Sequence, residues 1–168
     1  MTADQLSMFE GGAEISRKVR NGKPLNLSVS RTISASAETI FDRWLIPTFV
    51  GKWMFGTHVE NEKVVELKND VRPRGEFTYK VQRPGKEVIF RGEYQRIDRP
   101  KQLKFSWQEN DSPISTINVS FEPNESKSEN KTKLKISIQV DRSMSDEIES
   151  IKRQWSARCK ALSSQLSK

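Results

Sequence analysis

His58 and Cys159 are the only histidine and the only cysteine of the chain. They are therefore the one pair from which a thiolate nucleophile and its base could be assembled. Distance along the sequence leaves that pairing open, but phase weighs against it. Cys159 falls in line with the apolar positions of a C-terminal helical pattern, where a free cysteine behaves as a small hydrophobe. A metal centre needs three or four suitable ligands at workable spacing, and the sequence offers no such set, so no metal and no other cofactor is expected. Carboxylate chemistry is no better served. Glu60, Glu62 and Glu66 read as solvated strand and loop residues. Arg91 and Glu93 alternate with Val88, Phe90 and Tyr94 and so project from the polar side of their strand; with the phase inverted they would anchor a ligand inside. An enzyme built on this chain would have to rest on His58 and Glu93.

The richer signal is aromatic. The stretch SASAETIFDRWLIPTFVGKWMFG, residues 34–56, carries Phe41, Trp44, Phe49, Trp53 and Phe55. Exposing five such rings would forfeit about 1.5–3 kcal/mol each, roughly 10 kcal/mol in all. That rivals the ~5–15 kcal/mol net stability of a whole domain, so most must be buried within the chain, leaving one or two to line a cavity or meet a partner. The cavity candidates are Trp44, Trp53 and Phe55 from a helical lid, Phe77, Tyr79, Phe90, Tyr94, Phe105 and Trp107 from strands, and Ile151 and Trp155 from the last helix. The hydroxyls of Tyr79 and Tyr94 would orient a ligand's polar end. Each ring has an alternative role in simple packing.

The elements that position these residues follow from periodicity. Leu25, Leu27, Val29 and Ile33 alternate with polar residues, giving a strand with one dry face. Ser36 suits a helix N-cap, because its hydroxyl can accept from an otherwise orphaned backbone N–H. Ala37, Ile40, Phe41 and Trp44 then share one helical face. Pro47 ends that helix and suits the first turn of a second, shorter one with Phe49, Val50 and Trp53 on its apolar side. Strands are expected over Val59 to Lys68, around Phe77–Val81, Val88–Tyr94, Leu103–Trp107, Ile117–Phe121 and Leu134–Val140, most joined by short turns such as RPGKE at 83–87. A polar loop, EPNESKSENKTK, separates the last two. Finally Met144, Ile148, Ile151, Trp155, Cys159, Leu162 and Leu166 mark an amphipathic helix of over twenty residues, with Ser143 and Asp146 resembling a capping box and Lys160 and Lys168 near its negative end. The class is α+β: a curved seven-stranded antiparallel sheet wrapped around a long C-terminal helix, with two short helices between strands 1 and 2.

Length and composition fit this. The 168 residues suit one domain, with residues 1–24 a flexible polar leader, holding a short helical turn near Ile15 to Val19, and 25–168 the folded unit. Leu, Ile, Val and Phe number 40 of 168, above the ~20% that marks disordered chains. The net charge is +7, yet the basic residues are dispersed without interleaved aromatics, so nucleic acid is not an expected partner. No secretory leader or 18-residue apolar run is present, which points to a cytoplasmic protein without membrane insertion.

The element order, together with ISASAETIFDRWLIPTFVGKWMFG and GEYQRIDRPKQLKFSW, resembles the SRPBCC superfamily, the START and birch-pollen-allergen-like helix-grip fold. Within it, the similarity is to the domain of activators of the heat-shock protein 90 ATPase. Trp44 and Trp53 stand at that family's two helix tryptophans, and Gly92, Tyr94, Ile97, Asp98, Pro100, Leu103, Phe105 and Trp107 match its later pattern. The resemblance spans about residues 25–167 and implies a helix-grip fold with a hydrophobic cavity between sheet and helix. Family members include binders of small apolar molecules, cyclases and chaperone activators. With the aromatic interior this leads to an expected non-enzymatic binding of a small hydrophobic or amphipathic molecule there, with a chaperone-accessory or other protein-interaction role as the alternative and a cyclase- or hydrolase-like enzyme as the second. The extra N-terminal domain of the true activators has no counterpart in the 24 residues before the first strand.

Overall fold

A computed structural model describes residues 22–124 and 130–166; the expected turn at 15–19, Lys168 and the middle of the polar loop lie outside them. The first strand, β1 (Leu25–Ile33), leads into α1 (Ala37–Leu45) and α2 (Pro47–Trp53). Six strands follow, β2 (Lys63–Asn69), β3 (Glu76–Arg83), β4 (Lys86–Asp98), β5 (Gln102–Glu109), β6 (Ser115–Pro123) and β7 (Thr132–Val140). A 3₁₀ segment (Arg142–Glu147) then runs into α3 (Ile148–Leu166).

The seven strands form one antiparallel sheet in the order β1-β7-β6-β5-β4-β3-β2. β2 to β7 are a meander of neighbours, and β1 closes against β7, with Leu25 opposite Val140 and Ile33 opposite Thr132. The two edges are therefore β1 and β2, and α1–α2 must carry the chain from one edge to the other. That crossing lays the aromatic stretch over the inner face. The alternation read from sequence is the alternation observed: Phe77, Tyr79 and Val81, Val88, Phe90 and Tyr94, Leu103, Phe105 and Trp107 are all buried, while Arg91 and Glu93 face outward.

Local chemistry fixes the junctions. The Ser36 hydroxyl accepts from the Thr39 N–H at 3.2 Å, and Pro47 stands in the first turn of α2. Between β3 and β4, Pro84 precedes Gly85 at φ +77°, a conformation that glycine adopts without the clash a Cβ would bring. At Gly92 the constraint is space, since a Cβ would lie 2.0 Å from the Ser106 carbonyl oxygen and 2.2 Å from the Phe77 ring.

Two expectations are corrected, for the second strand and for the last helix. The strand set at Val59–Lys68 begins only at Lys63, because Gly56–Asn61 turn, with the Gly56 carbonyl accepting from the N–H groups of Val59 and Glu60. The last helix is capped by Asp141, whose carboxylate accepts from the Ser143 N–H at 2.9 Å, and not by Ser143. Its first turns are 3₁₀, with 19 residues of α-helix after them. Phe49 is only partly buried; the Arg43 guanidinium lies over its ring, 3.9 Å from the centroid.

Candidate functional site

The aromatic interior is assembled as expected and is nearly solid. Trp44 touches Trp53 edge-on at 4.7 Å and stacks parallel to Trp155 at 6.1 Å between centroids. Phe77 packs on Tyr79, Tyr94, Phe105 and Trp107 at 4.8–5.9 Å. Phe55 packs on Tyr79 and Phe90. The space left among Trp44, Phe77, Tyr79, Tyr94, Phe105 and Trp107 is about 10 Å³, the room of a single water and far below that of an organic ligand. Trp53, Phe55 and Phe90 border no part of it. The Tyr94 hydroxyl is also engaged. Tyr94 donates to Asn69 Oδ1 at 2.6 Å, and Asn69 Nδ2 donates on to the Leu45 carbonyl. Burial pushes both phenols up, Tyr94 to about 12. The Tyr94–Asn69–Leu45 chain ties α1 to the sheet.

Open space lies elsewhere, in a cleft of about 290 Å³ between the start of the C-terminal helix and the sheet. Of the sequence candidates it takes Trp107, Ile151 and Trp155, with Ser115, Ile138 and Met144 completing the wall. Trp107 and Trp155 meet edge-to-face at 5.3 Å. Beside them stands Arg83 from the end of β3, its Nε donating to Glu62 at 3.0 Å and its Nη1 reaching Glu109 at 3.5 Å. Its Nη2 is buried with no partner. Glu62 was expected in solvent; its side chain is wholly buried and also accepts from the Gly56 N–H at 3.3 Å.

Behind the two tryptophans lies a second guanidinium. Arg158 is 1% exposed, with its carbon 4.6 Å from the Trp155 ring centroid and 5.5 Å from that of Trp107. Its Nε donates to the Met54 carbonyl at 2.8 Å, while Nη2 has no partner. Burial pulls it down to about 10, against the opposing attraction of Glu62 and Glu109. On the rim, Glu60 accepts from Gln154 at 3.0 Å and Arg153 at 3.2 Å, bonds that hold its carboxyl below the usual range and pin the turn after α2 to α3.

None of this polar layer was found from sequence. Arg158 sits three residues after Trp155 and four before Leu162, so spacing did place it on the dry stripe. Residue type argued otherwise, because a buried guanidinium is tolerable only with partners, here supplied by distant segments.

The nucleophile pair does not form. His58 is exposed with Nε2 bonded to the Trp53 carbonyl at 2.7 Å, and Cys159 is buried with its thiol pushed up to about 12 by desolvation. Among the described residues no hydrogen bond joins them, no cluster of three metal-type ligands occurs, and no helix is long and apolar enough to cross a membrane.

Comparison with known proteins agrees with the fold. Residues 34–166 match the family described as Activator of Hsp90 ATPase homolog 1-like protein. No curated protein sequence matches significantly. Among solved structures, protein CV1439 from Chromobacterium violaceum is 17% identical, with TM-score 0.73 over 85% of this chain and 97% of its own. A protein from Arthrobacter aurescens is 17% identical, with TM-score 0.72 over 85% and 86%. DynU16, from the dynemicin biosynthetic locus, is 16% identical, with TM-score 0.67 over 85% of this chain and 47% of its own. At such identities these structures establish a shared fold.

Proposed function

We propose that this chain, which belongs to the activator of Hsp90 ATPase homolog 1-like family, binds a small amphipathic molecule without transforming it, in the cleft between the sheet and the start of α3. One observation carries this reading: the open volume beside Trp107 and Trp155 reaches the Arg83 side chain and its counter-ion Glu109, whereas the aromatic interior keeps only about 10 Å³. Trp107, Ile138, Met144, Ile151 and Trp155 give the cleft one apolar side and polar residues such as Arg83, Glu109 and Gln154 give it the other, a division that orients a ligand with one wet end.

A titration with N-phenyl-1-naphthylamine, a neutral dye that brightens in apolar surroundings, tests it. Ile151→Trp fills the cleft and is expected to weaken binding at least tenfold. Tyr94→Phe alters only the sealed interior and should leave affinity within twofold. The reverse ranking, or no binding to the unsubstituted protein, would overturn the proposal.

A second reading, docking to a protein partner such as a chaperone, is favoured by a different observation. Ile46, Val64 and Val65 are exposed by 40–54% and lie on or beside β2, an edge strand with unpaired backbone groups. Val65→Lys should then abolish partner capture and any stimulation of a chaperone's ATP turnover while leaving dye binding intact. Unchanged capture would count against this surface.

A further inference from the structure

Resting on the cleft as the binding site, we propose that the ligand's polar end is a carboxylate, received by the Arg83 guanidinium at the end that Glu109 now holds, with Glu109 as the counter-ion that gives way to it.

The argument is one of charge in a confined layer. Two guanidinium groups, Arg83 and Arg158, are withdrawn from water, and each carries a buried Nη2 without a partner. Only one carboxylate, that of Glu62, is buried with them; its side chain is fully covered. Glu109 supplies the second negative charge from a poorer position, 35% exposed and 3.5 Å from Nη1, at the outer limit of a hydrogen bond. The layer is thus short of one close negative charge, at the point where the cleft opens.

The other carboxylates do not fill that need or oppose its being filled. Glu60 is taken up by Arg153 and Gln154, and Glu147 is an exposed rim residue free to take water. A neutral acceptor in the place of Glu109 would use one N–H of that end. A carboxylate would use the paired N–H geometry of a guanidinium edge, the stronger and more directional contact. A ligand amine would instead meet two buried cations. The apolar remainder of the ligand lies against Trp107 and Trp155.

Calorimetric titration at pH 7 with 4-phenylbutyrate and 4-phenylbutanol separates these chemistries, since the two probes share one apolar body. The acid is expected to bind at least tenfold more tightly than the alcohol. Glu109→Gln, nearly isosteric and at a half-exposed position, should tighten the acid severalfold and leave the alcohol within twofold. Arg83→Met should erase the preference for the acid. If alcohol and acid bind alike, or if Glu109→Gln leaves the acid unchanged, the carboxylate assignment is wrong while the cleft stands. If neither binds, cleft and assignment fall together.

Discussion

Trp44→Ala is expected to lower the free energy of unfolding by about 3–5 kcal/mol, the usual cost of truncating a buried large aromatic. Trp44 is 2% exposed and sits where four elements meet. Its ring contacts Trp53 of α2, stacks on Trp155 of α3, and lies 6.3 Å from Phe105 of β5 and 6.4 Å from Phe121 of β6. These neighbours come from both layers, so the hole cannot close by a shift of one element. For a chain of this size the loss corresponds to a fall in Tm of roughly 6–20 °C. Phe49→Ala is the control: that ring is partly exposed beneath Arg43, and its loss should cost about 1 kcal/mol or less. Denaturant unfolding of both variants reads the difference. A Trp44→Ala loss no larger than that of Phe49→Ala would mean that the lid is not part of the core.

Glu62→Gln should be comparably costly, for an electrostatic reason. The substitution keeps the shape but removes the only wholly buried carboxylate among the described residues, leaving Arg83 and Arg158 with Glu109 alone. Breaking a buried ion pair in this way costs about 3–5 kcal/mol, because the surviving charge stays desolvated. The double variant Glu62→Gln/Arg158→Met tests the cause. A methionine fits the aromatic surroundings of Arg158 (Phe55, Phe90, Trp107 and Trp155) without needing a counter-charge. Burial already holds Arg158 below its ordinary value, at about 10, so it keeps its charge at neutral pH but carries it at a desolvation cost. The double variant should therefore recover at least about 1 kcal/mol relative to Glu62→Gln, a coupling of the size expected within one charge network. Additive losses would show that the cluster is held by packing rather than by charge.

Much of the fold was legible because its signals are local. Strict alternation at Leu134, Ile136, Ile138 and Val140, the capping hydroxyl of Ser36 and the break at Pro47 each act through neighbours in sequence, and each is found where expected. The strand placed from Val59 shows the limit: the pattern there was weak, and the turn beginning at Gly56 decided it. The site was only partly legible. Trp107, Ile151 and Trp155 were named because large apolar residues in phase must converge. Whether convergence leaves a hole depends on how rings interlock, and here Phe77 packs on Gly92 and fills the centre. The polar half was hidden for another reason. Glu62, Arg83, Glu109 and Arg158 each look like surface residues alone, and only pairing across the fold makes their burial tolerable.

The most direct test of the cleft is nitrogen-edited NMR of the four tryptophan indoles during titration with N-phenyl-1-naphthylamine. The account predicts that the indole N–H signals of Trp107 and Trp155 move in saturable fashion. That of Trp53, which donates to the Arg43 carbonyl at 2.9 Å, should stay in place. Movement of Trp53 with Trp107 and Trp155 unchanged would put the ligand in the helical lid and contradict the account.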